Sequence, residues 1–160
     1  MIEYRRARLS DTEDILRLIN YYAEKGLMLP RTRSTIYEGI REFIVAEKDK
    51  QIVAVGSLHI IWEDLAEIRA LAVDEKCQGR GIGRQLVYLL LQEAAELDCP
   101  EVFTLTYQVK FFQHLGFKLI DKEKMPHKVW KECINCVKFP NCDESALIIK
   151  LKEDRSRYGT

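Results

Sequence analysis

No run in this chain approaches the roughly 20 apolar residues that a membrane-spanning helix needs, and the opening Met1 to Arg6 carries no apolar signal region. Neither sign of charge is in excess, since 25 Lys and Arg stand against 25 Asp and Glu. No overall field therefore draws the protein to nucleic acid or to an anionic membrane. Internal repeats and low-complexity tracts are lacking too. These absences lead to the expectation of a cytoplasmic protein whose partner is a small molecule, with neither nucleic acid nor membrane involved. The five cysteines, Cys77, Cys99, Cys133, Cys136 and Cys142, are an odd set, and inside the cell a disulfide framework is the less favoured use. The 160 residues, 47% hydrophobic and 31% charged, suffice for one domain with a proper core and are too few for two comfortable ones.

The chain is organised around residues 67–98. An apolar run, Ile68 to Val73, reads as a strand; a short charged loop leads into Gln78-Gly79-Arg80-Gly81-Ile82-Gly83-Arg84; a long amphipathic helix follows, with Leu86, Leu89, Leu90, Ala94 and Leu97 on one face and Glu93 at its edge. Strand, glycine turn and helix make an anion site. The first N–H groups of the helix lack partners, and the helix dipole adds roughly half a positive charge there. A P-loop is excluded, because Gly83 is followed by Arg84 and Gln85 with no hydroxyl for magnesium. A dinucleotide fingerprint fits poorly, since the third glycine comes one residue too soon.

Elsewhere, Ile2 to Ala7 reads as a strand, and Ser10 with Glu13 as a capping box for a helix to about Lys25, stopped by Gly26, with Ile15, Leu18, Ile19 and Tyr22 as its buried stripe. Ser34 is expected to cap a shorter helix to about Glu42. Phe43 to Ala46 and Ile52 to Trp62 form a hairpin, with a turn at Glu63 to Ala66 beyond it. Val102 to Thr106 is a strand, Val109 to Leu115 a short helix ended by Gly116, Phe117 to Ile120 a strand, and Ala146 to Leu151 the last strand.

Gln78, Gly81 and Gly83 match a Gln/Arg-x-x-Gly-x-Gly/Ala signature, and the short helix followed by Leu115-Gly116-Phe117 is a second landmark. With them the chain resembles the GNAT N-acetyltransferase family. The resemblance implies an α/β (α+β) acyl-CoA N-acyltransferase fold, a mixed, mostly antiparallel sheet flanked by helices. It would be a single domain over 1–152, with a Cys-rich insertion at about 125–145 and a flexible tail at 153–160. It implies acetyl-CoA as cosubstrate, with the pantetheine arm in a gap between two parallel strands against the main chain of Leu71, Ala72 and Val73. The pyrophosphate would lie against Gln78, Gly79, Arg80, Gly81, Ile82, Gly83 and Arg84. Glu67 is the candidate base for the acceptor amine; alternatively it pairs with Arg69, and the two roles can coexist. Many members place a tyrosine, as acid, where this chain has Phe112. Tyr107 or His114 could substitute, or water could protonate the thiolate, whose thiol pKa is about 8.5; Tyr107 is carried forward.

Leu29 to Ser34, the run Leu58 to Arg69, and Phe112 narrow the resemblance over residues 1–130 to the short single-domain type of N-acetylglutamate synthase, an amino-acid N-acetyltransferase. That implies L-glutamate as acceptor, in the first step of arginine biosynthesis, with Arg31, Arg33 and Arg69 as contacts for its carboxylates. The other reading of Arg31 and Arg33 is solvated loop charge. Two alternatives remain: an acetyltransferase of the same fold for another small amine or amino acid, and a non-catalytic CoA- or metal-binding module. A homodimer is left open. Cys133, Cys136 and Cys142 with His127 have the chemistry of a structural zinc site, against reducible thiols without metal or a redox disulfide.

Overall fold

The computed structural model describes residues 1–126, 129 and 143–151. Strands β1 (Ile2–Arg6), β2 (Phe43–Lys48), β3 (Gln51–Trp62) and β4 (Leu65–Val73) form an antiparallel run. Strand β5 (Glu101–Thr106) joins β4 in parallel, and β7 (Ser145–Lys150) lies antiparallel between β5 and β6 (Lys118–Ile120), giving a seven-stranded sheet of order β1-β2-β3-β4-β5-β7-β6. This is the mixed, mostly antiparallel sheet flanked by helices that the sequence leads one to expect.

Helices cover both faces. Helix α1 (Thr12–Ala23) and α2 (Arg33–Glu38) bury Ile15, Leu18, Ile19 and Ile36 against Phe43, Val45, Ile52 and Val55. On the other face α3 (Ile82–Glu96) sets Leu86, Leu90 and Leu91 against Ile44, Ala46, Val53 and Leu58. Covered on both sides, residues 43–46 of β2 and 52–55 of β3 read as unbroken apolar runs. Asp49 and Lys50, both at positive φ (50° and 65°), make the two-residue turn between them, a geometry that matches strand twist. A short helix, α4 (Val109–His114), follows β5.

Several local expectations are corrected. Asp11, not Ser10, organises the start of α1: its Oδ2 accepts the Arg8 N–H at 2.7 Å, and both of its oxygens accept from the Arg5 guanidinium at 2.8 and 3.0 Å. A buried carboxylate can answer that guanidinium; a serine hydroxyl cannot carry the charge. Helix α2 is capped by Thr32, which exchanges hydrogen bonds with Thr35 at 3.2 and 3.1 Å, so Ser34 lies inside the helix. Strand β4 begins at Leu65, paired with Trp62, because the turn needs only Glu63 and Asp64. Leu97 is 58% exposed, since α3 ends at Glu96 and the chain reverses at Asp98. Tyr22 is only half-buried and turns toward β4.

Candidate active site

The site begins where two parallel strands part. The β4 and β5 ladder holds from Leu65↔Glu101 to Glu67↔Phe103 and then stops. Divergence leaves backbone groups without ladder partners, and buried ones must be satisfied some other way. At the fork the buried Thr104 hydroxyl donates to the Ile68 carbonyl at 3.1 Å. On its other side β4 carries a bulge: Val55 pairs with Ala72 and Ser57 with Arg69, so one extra residue is accommodated and Ala70 takes φ +54°. Gly56 faces this bulge, and a Cβ there would stand 3.2 Å from both Leu71 and Leu90 side-chain carbons.

The gap opens into a groove of about 490 Å³. Its floor is Ile68 to Val73 with Thr104 to Thr106, and α4 walls it with Phe111 and Phe112. One end is the glycine loop, where Gly79 and Gly81 sit at φ +79° and +80°, a conformation cheap only for glycine. Gly81 is the N-cap of the fifteen-residue α3, so the unpaired amides of that helix face the groove end. A Cβ on Gly83 would sit 3.4 Å from Phe111 and 3.6 Å from Val73, inside the space between these two lining side chains. An elongated ligand with an anionic end fits this cradle.

The other end is polar. Glu67, 7% exposed, lines the groove with its Oε1 held by Arg69 Nε at 2.6 Å. The ion pair expected as the alternative role for Glu67 is therefore formed. Arg31 also lines the groove; its backbone exchanges two hydrogen bonds with the Asn20 side chain, at 3.2 and 3.1 Å, which anchors its loop to α1. Tyr107 also lines the groove, its hydroxyl donating to Asp143 Oδ1 at 2.5 Å.

The structure thus brings together Glu67, Arg69, Leu71, Ala72, Val73, Gln78, Gly79, Gly81, Ile82, Gly83, Arg84, Tyr107 and Arg31 around one groove. Two expected residues stand outside it. Arg80 is exposed and does not line the groove. Arg33, the first residue of α2, gives its Nε to Glu13 Oε1 at 2.6 Å on the surface, because the cap at Thr32 directs it toward α1. His127, Cys133, Cys136 and Cys142, and with them the zinc reading, lie outside the described residues, as does the tail. Among the described residues no cluster could hold a metal ion and no helix is long and apolar enough to cross a membrane.

Sequence reasoning missed Thr104, Asn20 and the groove role of Tyr22. The Tyr22 hydroxyl donates to the Val73 carbonyl and accepts from Gln78 Nε2 at 2.8 Å, while burial holds the phenol above its ordinary pKa. Its helical spacing resembles that of a core residue, so pattern alone could not reveal it.

A model described as the acetyltransferase (GNAT) family matches residues 9–117. An uncharacterised N-acetyltransferase of Chlorobaculum tepidum is 42% identical over 144 residues, 90% of this chain and 93% of that protein. An amino-acid acetyltransferase of Mycobacterium tuberculosis is 41% identical over 131 residues, 80% of this chain and 75% of that protein. The crystal structure of a Mycobacterium tuberculosis protein in complex with CoA and NLQ superimposes with a TM-score of 0.82 at 35% identity, covering 94% of this chain and 99% of that one.

Proposed function

From the premise that this chain belongs to the acetyltransferase (GNAT) family of acetyl-CoA-dependent acyltransferases, we propose that it acetylates the α-amine of L-glutamate in the cytoplasm, the first step of arginine biosynthesis. The observation that carries this reading is the continuity of the groove. A backbone-lined gap with a glycine loop at one end runs into Glu67 and Arg69 at the other, and Arg31 lines the same groove. The relative named amino-acid acetyltransferase supports an amino acid as acceptor.

In this reading the acetyl-CoA diphosphate meets the amides between Gly79 and Arg84, with the Arg84 side chain beside them. The pantetheine arm lies along Leu71 to Val73, which puts the thioester near the fork at Ile68. The acceptor carboxylates are held by Arg31, which has no ion-pair partner among the described residues, and by Arg69. Arg33, committed to Glu13, is left out of the acceptor set. An amine with a pKa of about 8 to 10 arrives as ammonium and must lose a proton before it attacks. Glu67 accepts that proton directly or through water, and Arg69 fixes its orientation. The nitrogen bonds to the thioester carbon, the C–S bond breaks with its electron pair on sulfur, and the thiolate takes a proton from Tyr107 or water. Phe112, a buried ring packed on Phe111 and Phe117, has no proton to give, and a thiol pKa near 8.5 makes small demands on the acid.

Purified protein should release CoA thiol from acetyl-CoA with L-glutamate and form N-acetyl-L-glutamate. Release with spermidine, amino sugars or protein N-termini but not with glutamate would overturn the acceptor assignment and leave the family standing.

A further inference from the structure

Tyr22 lines the groove beside the end of β4 and the approach to the glycine loop. Its backbone carbonyl accepts the N–H groups of Lys25 and Leu27 at 3.1 Å each, turning the chain through Gly26 into the loop that carries Arg31. Its side chain reaches the other way. The hydroxyl donates to the carbonyl of Val73, the last residue of β4, and accepts the Gln78 side-chain amide at 2.8 Å; Gln78 Nε2 also approaches that carbonyl at 3.4 Å. A phenol has one proton to give and lone pairs to receive, so this one oxygen links the end of β4 to the residue before Gly79. Such chains of hydrogen bonds strengthen one another. Between these two anchors the connection is braced from below: Asp74 N–H donates to Val53 O at 2.8 Å, and Asp74 Oδ1 accepts from Lys76 N at 3.0 Å.

We infer that Tyr22 is a positioning residue for the cosubstrate: through Gln78 and the Val73 carbonyl it sets the glycine loop at the distance from β4 that one CoA molecule spans. The inference rests on the cofactor half of the proposed reaction and is independent of which amine is the acceptor. Removing the hydroxyl keeps the ring and its packing. It leaves the Val73 carbonyl to the Gln78 amide alone, so Gln78 must shift to serve it and the loop shifts too.

The test is Tyr22→Phe with Gln78→Ala and the double variant, each measured for CoA binding by calorimetry, for steady-state kinetics and for thermal unfolding. Binding of CoA to the unaltered protein checks the cofactor reading first. Given that, Tyr22→Phe should raise the acetyl-CoA KM and the CoA Kd about fivefold, the equivalent of about 1 kcal/mol at 1.4 kcal/mol per tenfold. The kcat, the acceptor KM and the melting temperature of ligand-free protein should stay put. The double variant should be no worse than Gln78→Ala alone, because both substitutions break the same chain. An unchanged CoA Kd, a melting temperature that falls without a change in Kd, or full additivity in the double variant would each overturn the inference.

Discussion

Gly83→Ala separates what the fold asks of the glycine loop from what the ligand asks. Gly83 is the second residue of α3 and is not at positive φ, so alanine is conformationally welcome, and in a helix it is favoured over glycine by about 0.5–1 kcal/mol. Its methyl would meet Phe111 at 3.4 Å and Val73 at 3.6 Å, ordinary contacts that require nothing to move. For a chain of this size each kcal/mol shifts the melting temperature by about 2–4 °C, so the ligand-free variant should melt about 1–4 °C higher. The same methyl stands between two side chains that line the groove. The signature that the loop matches takes glycine or alanine at this position, and the methyl reaches only ordinary contact distance, so the CoA Kd should stay within about twofold. Calorimetric titration with CoA beside thermal unfolding of the free protein reads both effects. A variant that melts lower, or whose CoA Kd rises by about tenfold or more, would refute the reasoning.

Glu67→Gln should lower kcat by at least about a hundredfold, the usual worth of a positioned base, with the acetyl-CoA KM unchanged; normal turnover would remove Glu67 from the mechanism. Arg31→Ala should raise the acceptor KM by about tenfold or more, in line with a lost charge-assisted contact, while CoA binding is kept; an unchanged acceptor KM would show that Arg31 is loop charge only. The Asp11 carboxyl is held below its ordinary value, first by its hydrogen bonds from Arg5. Its contribution is therefore full above the unfolded pKa of about 3.9 and fades as pH falls through the lower folded value. Asp11→Asn should then cost about 2 kcal/mol at pH 7 and progressively less in denaturant titrations below pH 4. Burial pushes the Glu93 carboxyl up despite the Arg6 guanidinium 3.2 Å from its Oε1, and its Oε2 has no hydrogen-bond partner among the described residues. That charge weighs on the fold increasingly as pH rises through the raised value, so Glu93→Leu should lift the melting temperature by about 2–4 °C at pH 7 and by less at pH 4.

Elements with a strong period were legible from the chain alone. Alternation and apolar runs located the strands, and three- and four-residue spacing located α1 and α3, because the side-chain pattern repeats along one element and needs no partner to be seen. The glycine loop was legible for a related reason: its need for positive φ is local, and Gly79 and Gly81 meet it. Caps were less so. Ser10 and Ser34 have the right chemistry, but Asp11 is chosen by Arg5 and Thr32 by Thr35, and the first of those partners sits on β1.

Backbone conformation, element type and the anion-binding turn were thus determined by residues near one another in sequence. Which of two neighbouring arginines lines the groove was not: Arg33 meets Glu13 and Arg31 is held by Asn20, contacts that exist only once the loop and α2 have folded back against α1. The gap itself, from the lost ladder beyond Glu67 and the bulge at Ala70, and the Tyr22 link across its mouth, were likewise decided by the tertiary structure. They depend on groups up to 56 residues apart, whose encounter no local pattern encodes.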